Sequence, residues 1–299
     1  MSLAGMAAPR LVGMSKRGRQ RRVLAKQVSA QLLLIAGSLT VVMPVFYVIS
    51  VSLRSPGDYI ADPYSFMPSH PTLSNFTQLF GLVDVNRMML NSLVVCAVAS
   101  IGTVVSSAVV AYPLARFRFR GVGFITVCVL ATIMLPPQVL LIPQYVEFLK
   151  FRWVNTFLPL MVPSWFATNG FMVFYLRQTY RTIPREMEEA VLVDGGGFWS
   201  AFRRVVLPLS KGPLMIVLIL QVVATYNDFF APSIYLQSQS LFTMPVGLQL
   251  AAATAGGGLN NAPVIMAGTV VYVVPLVIFF FVVQRWLVRG VQLGGAVKG

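Results

Sequence analysis

Charge is scarce in this chain, and acid is scarcest. Only 11% of the 299 residues are Asp, Glu, Lys or Arg; nine are acidic, and there are one histidine and two cysteines. A single histidine excludes an H-E-x-x-H zinc helix, and no G-x-S-x-G marks a nucleophile elbow. No lysine follows a glycine, so the phosphate-cradling loop G-x-x-x-x-G-K-[ST] is missing and the chain cannot be its own ATPase. Cys96 and Cys128 lie inside apolar runs without C-x-x-C spacing. They read as small buried hydrophobes rather than as a disulfide or a metal pair. His70, between Ser69 and Pro71, reads as a solvated loop residue.

What is abundant is apolar sequence. A soluble domain carries roughly 25% charged residues; this one is 57% hydrophobic, with a mean hydropathy of +0.75. Six runs reach the roughly 20 apolar residues needed to cross a bilayer: 29–53, 89–114, 122–145, 156–178, 212–236 and 263–287. The expected fold is an all-α integral membrane protein with six transmembrane helices. Pro44, Pro136, Pro137, Pro143, Pro159, Pro163 and Pro275 fall within these runs. Each interrupts or bends a helix and frees carbonyls that a membrane tolerates only against protein or water. Such a bundle is suited to enclosing a polar path.

The net charge of +14 would suit nucleic acid, but its distribution argues against that partner. Nineteen of the 23 basic residues precede run one, lie in or at the edge of the gaps between runs two and three and between runs four and five, or fall at and after the end of run six. Only Arg54, Arg87, Lys150 and Arg152 fall in the alternate loops. The positive-inside rule then puts both termini in the cytoplasm. Residues 1–27 form a basic tail, and the run behind it is too long for a cleaved signal peptide. The loop RFRFRG, Arg116 to Gly121, suits the membrane interface, with its guanidinium groups on lipid phosphates. Residues 54–88, broken by four prolines, and the uncharged 237–262 are expected outside, the latter as a flexible excursion.

One segment departs from this pattern. EEAVLVDGGGFWSAFRRVVLP, Glu188 to Pro208, concentrates acids, glycines and arginines between two apolar runs. Pro184 is suited to a first helical position, and Glu186, Glu188 and Glu189 to the first turns, where the helix dipole favours acids. Met187, Ala190 and Val191 share an apolar stripe. Gly195 to Gly197 would end this helix by accepting the left-handed conformation. A second short helix follows, with Phe198, Ala201, Phe202 and Val205 on one side, stopped at Pro208. The result is a cytoplasmic helical hairpin tied at both ends to spans four and five. Its glutamates would be repelled by anionic lipid headgroups, and its surface suits the cleft of another protein.

The pattern E-E-A-x-x-x-D-G from Glu188 to Gly195, followed by Leu207-Pro208, resembles the EAA signature of permease subunits of binding-protein-dependent ABC importers. Asn91-Ser92, AYPLARFRFRG from Ala111, MLPPQVLLIPQY from Met134, NTFLPLMVP from Asn155 and the tail QRWLVRGVQLGGAVKG from Gln284 are similar to the maltose-type carbohydrate branch, in the family's order. The resemblance implies that Glu188, Glu189, Ala190, Asp194, Gly195, Leu207 and Pro208 belong to a coupling helix and its support, seated on a separate ATPase dimer that holds ATP and magnesium. It implies that Gly294, Gly295, Val297, Lys298 and Gly299 reach that dimer, and that a second permease subunit and an extracellular solute-binding protein complete the importer. The chain itself would carry no cofactor and no catalytic residue. Its departures are Val191 and Gly196, where the signature has alanines; the latter would loosen the turn.

For the solute path, Tyr226, Asn227 and Asp228 lie towards the outer end of run five, with Asn91 as a further candidate. An intramembrane acid is a functional position by default, and an aromatic ring with amide and carboxylate partners suits a sugar. Asp228 equally suits a helix cap. The expected cargo is a sugar, oligosaccharide or polyol; glycerol phosphate or a glycerophosphodiester is the alternative within the branch. An ion-coupled transporter or channel is the alternative outside it.

Overall fold

The computed structural model describes residues 16–254 and 261–295, and the described residues are helical without strands. Among the described residues three helices are long and apolar enough to cross a bilayer unbroken: α1 (Lys16–Ser52, apolar from Gln27), α2 (Val85–Arg116) and a helix, Ala262–Gly295, that is apolar as far as Gln284. α1 begins eleven residues before position 27, so the end of the basic tail and the first apolar stretch, which starts at Gln27, lie on one continuous helix.

The other runs are broken where proline dictates. Run three divides into α3 (Val122–Met134) and α4 (Pro137–Lys150), at 104° to each other. Pro136 excludes the α region for the residue before it, and Leu135 is accordingly extended at φ −82°, ψ 122°. Run four is not one helix. It consists of Leu158–Met161, a 3-10 turn at Pro163–Phe166 and α5 (Gly170–Thr182). Pro159 and Pro163 withhold backbone donors, Ala167 turns left-handed at φ 54°, and Asn169 restarts the helix by accepting from Met172 N at 3.3 Å. Gly170 is needed at that restart: a Cβ there would lie 2.6 Å from the Val129 carbonyl oxygen of α3.

Two short helices follow, α6 (Glu186–Val193) and α7 (Phe198–Leu209), the latter meeting α8 (Lys211–Tyr226) at 74°. α7 ends at Leu209, one residue after Pro208. The turn before it is a π-turn, Phe202–Val206, in which Leu207 N donates to the Phe202 carbonyl. A π-turn inserts one residue into helical phase, so Val206 rather than Val205 enters the core. Run five likewise ends early: α8 stops at Tyr226 and a separate helix, α9 (Phe230–Tyr235), resumes.

The uncharged loop after α9 is not wholly a flexible excursion. Its middle forms α10 (Met244–Thr254), whose Met244 and Ala251 are buried with Leu79, Val85, Met88 and Val264. Gly247 permits this, since Met88 Sδ occupies the place of its missing side chain. α2 is the axis of the fold. Its far end packs in this cluster, and its near end packs with Met172, Leu176 and Tyr180 of α5, Phe202 and Val206 of α7 and Val217 of α8. Thirty-two residues at helical rise make it about 48 Å long.

Candidate functional site

Two features carry the candidate chemistry, a polar cavity and the α6–α7 hairpin. The cavity, of about 730 Å³, is bounded by α2, α3, α4, α5, α8 and α9. Its walls exist because runs three and four are broken: the separated halves splay apart and leave room between them. Thr132, Gln144, Asn169, Gln221, Thr225 and Asp228 line it. The amides form a ladder along the wall, Asn169 Nδ2 donating to Gln221 Oε1 at 3.2 Å and Gln221 Nε2 to Thr225 Oγ1 at 2.9 Å. Among the described lining residues Asp228 is the one charged group.

The four residues expected along the path behave differently. Tyr226 borders the cavity but is buried, its ring stacked on Tyr272 at 4.9 Å and its hydroxyl donating to the Tyr272 carbonyl at 2.9 Å. Asn227 faces away, its Oδ1 accepting from Tyr272 Oη at 2.7 Å. Asp228 lines the cavity and also caps α9, accepting from Ala231 N at 3.4 Å. Asn91 is a clamp: its Nδ2 donates to the carbonyls of Ser240 and Phe242, both at 3.0 Å, pinning the segment before α10 to α2. Gln144 and Thr132 went unnoticed in the sequence because only the bend between α3 and α4 brings them to the cavity. Of the cysteines, Cys96 is buried with its thiol towards the Val222 carbonyl at 3.5 Å, whereas Cys128 is exposed on α3.

The hairpin starts at Glu186, with Pro184 two residues outside it. Its three glutamates occupy the first turns. α6 ends in a Schellman motif: Gly195 is left-handed at φ 81°, Gly195 N donates to the Leu192 carbonyl at 3.1 Å and Gly196 N to the Val191 carbonyl at 2.8 Å. The turn is tight rather than loose. A Cβ on Gly196 would fall 2.7 Å from Val191 Cγ1 and 2.8 Å from its carbonyl oxygen, so the valine and the glycine at the two unusual positions are complementary.

The acids then separate by role. Glu189, Ala190, Asp194 and Gly195 are exposed at the hairpin surface, together with Met187, Val193 and Trp199. Glu188 points inward and is buried at the near end of α2. Its Oε2 accepts from Tyr112 Oη at 2.9 Å, and its Oε1 lies 2.5 Å from Arg116 Nη2, a charge contact rather than an aligned hydrogen bond. Arg116 also donates to the Ile183 carbonyl at 2.8 Å, just ahead of the hairpin. Arg116 is therefore committed to protein, and of the arginines in its basic loop Arg118 and Arg120 are the exposed ones. Leu207 and Pro208 sit on the π-turned helix that carries Phe202 into the core. Gly294 and Gly295 close the last helix, while Val297, Lys298 and Gly299 lie outside the described residues.

Residues 104–293 match the family model described as the binding-protein-dependent transport system inner membrane component. The chain belongs to this family. Its permease relatives include the arabinooligosaccharides transport system permease protein of Halalkalibacterium halodurans, 31% identical over 261 residues, covering 86% of this chain and 91% of the relative. The diacetylchitobiose uptake system permease protein of Streptomyces coelicolor is 29% identical, covering 88% and 86%. The sn-glycerol-3-phosphate transport system permease protein of Brucella suis is 26% identical, covering 87% and 93%. Among solved structures, a bacterial ABC transporter involved in the import of the acidic polysaccharide alginate superposes with a TM-score of 0.73 at 20% identity, covering 89% of this chain and 97% of that one. The permease fold is thus shared along nearly the whole chain, and the hairpin and the cavity both fall within it.

Proposed function

We propose that this permease is one half of the translocation path of an ATP-driven importer for a sugar, oligosaccharide or related polyol. A solute-binding protein outside the cell delivers the solute, and a partner permease completes the path. Both termini and the α6–α7 hairpin face the cytoplasm. Glu189, Ala190, Asp194 and Gly195 seat the hairpin in a cleft of the ATPase subunits, which hold ATP and magnesium.

The observation that carries this reading is the two-sidedness of the hairpin. One face is fixed into the core by Phe202, Val206 and Glu188, while the other presents acids, Val193 at 87% exposure and Trp199 to a partner. A lipid-lying hairpin would place Glu189 and Asp194 against anionic headgroups. The cavity favours a neutral polyhydroxy solute over a phosphate ester. Its described lining offers hydroxyls, amides and one carboxylate, but no lysine or arginine, the side chains that pair with phosphate.

Glu189→Lys tests the docking. The variant is expected to insert normally and to uncouple ATP hydrolysis from uptake in vesicles reconstituted with all subunits. Full ATP-driven transport by the variant would sink the docking assignment, and transport without any ATPase subunit would point instead to an ion-coupled carrier.

A further inference from the structure

The hairpin is joined to the helices before and after it by the chain itself, but its side chains grip a third element. Glu188 on α6 reaches Tyr112 and Arg116, one turn apart at the near end of α2, and Arg116 also holds the Ile183 carbonyl. Apolar contacts flank this charged centre. The Tyr112 ring lies 4.8 Å from that of Phe202, and Phe117 meets Phe198 at 4.9 Å. A second arginine reinforces the same end, Arg177 Nε of α5 donating to the Leu114 carbonyl at 3.1 Å. The docking proposed above rests on Glu189, Ala190, Asp194 and Gly195; Glu188, which the sequence groups with them, is instead buried against Arg116 and Tyr112, turned away from the exposed face.

From this geometry we infer that Arg116, Glu188 and Tyr112 form a joint that transmits displacement of the hairpin into α2, acting as positioning residues for the opening and closing of the cavity. α2 suits the task. It is one unbroken helix from the joint to Ser92, Val95 and Thr103 at the cavity wall. A helix can transmit a push along its axis only where it is gripped. A buried ion pair is rigid in this sense, because separating it would leave two uncompensated charges out of water. The pair also locks the hairpin to the helix before it through Ile183, so that α2, α5 and the hairpin move as one body. The inference rests on the importer reading, and the experiment below separates the two.

The reporter is Thr168→Cys, an exposed position on the cavity lining, on a Cys128→Ser background in the complete importer. Its labelling rate by a membrane-impermeant maleimide is compared without nucleotide and after trapping with ATP and vanadate. With the joint intact the rate is expected to change by about tenfold or more between the two states, the scale of a coupled conformational switch. In Glu188→Gln and in Arg116→Gln the change is expected to fall below about twofold, while the ATPase subunits still copurify and hydrolyse ATP. Glu188→Asp, which keeps the charge, is expected to restore part of the change. Should the single variants fail to assemble, the double variant Arg116→Gln with Glu188→Gln leaves no lone buried charge and is read in the same way. An undiminished change in assembled variants overturns the joint alone. Failure of the parent protein to bind any ATPase subunit overturns the importer reading, and the joint with it.

Discussion

Two buried arginines sit at opposite ends of the bundle and do different work. Arg54, 1% exposed in the segment between α1 and α2, donates to the carbonyls of Asp58, Ser65 and Asp62 at 3.1, 3.2 and 2.8 Å and pairs with the Asp58 carboxylate at 3.4 Å. All its partners lie within eleven residues. Arg116 pairs with Glu188, 72 positions away, across two helices. The first guanidinium ties a short loop to itself, with Asn75 closing the knot by donating to the carbonyls of Ser52 and Arg54 at 2.8 and 2.7 Å. The second ties separate helices together. Burial alone therefore does not distinguish a brace from a transmission element; the sequence span of the contacts does.

The largest effect that would test this contrast is at the brace. Arg54→Met removes four donor contacts from a buried site and is expected to destabilise the 54–75 segment by about 3 kcal/mol, the upper range for leaving buried acceptors without a donor. The segment should become cleavable by protease added outside, with ATP hydrolysis per transported solute unchanged. A loss of coupling as complete as that from Glu188→Gln would erase the distinction between the two ends.

A smaller effect sharpens the comparison at the hairpin end. Gly196→Ala forces a Cβ against Val191, an overpacking expected to cost about 1–3 kcal/mol. Adding Val191→Ala relieves the side-chain part of the clash but not the contact with the Val191 carbonyl. Partial recovery is therefore expected, with an interaction energy of about 0.5–1 kcal/mol. Thermal unfolding of the purified complex and amide exchange at 190–200 measure it. If Gly196→Ala disrupts coupling while Glu188 and Arg116 remain paired, stiffness within the hairpin matters as well as its attachment to α2.

What could be read from sequence follows the same division between local and distant. The hairpin was legible because its determinants are neighbours in the chain: acids in the first turn, Gly195 at a left-handed position and Leu207-Pro208 closing the unit. The breaks in runs three and four were announced by Pro136, Pro159 and Pro163, although proline does not say how the halves reorient, and nothing marks Ala167 as left-handed. Glu188 and Glu189 are adjacent glutamates in one motif; only the packing of α6 on α2 sends one inward and leaves the other exposed. Arg116 looked like a lipid-facing member of a basic loop because its partner is 72 positions away. The one-residue shift from Val205 to Val206 depends on a π-turn that helical periodicity cannot register. Arg54 counted merely as one of four basic residues in the alternate loops, since a guanidinium satisfied by carbonyls leaves no acidic partner pattern to find.

The smallest expected effect is a pH dependence confined to the brace. Burial draws the Asp58 carboxyl upward, but hydrogen bonds from Ser69 and Arg54, together with the charge of Arg54, outweigh it and hold the group below its ordinary value of 3.8. The folded segment thus binds a proton less readily than the unfolded one. Its contribution to stability is complete above the ordinary carboxylate value and is lost as pH falls through the lower folded value. Protease resistance of the 54–75 segment should accordingly weaken below about pH 4, and the part owed to Asp58 should be absent in Asp58→Asn. That variant keeps the shape of the side chain but loses its charge, so it should leave the coupling between ATP hydrolysis and cavity labelling as it was. A brace closed within eleven residues can lose one of its contacts without α2 registering the change. If Asp58→Asn altered the labelling of Thr168→Cys, the knot at the far end would be part of the moving body, and the line drawn between the two arginines would have to be abandoned.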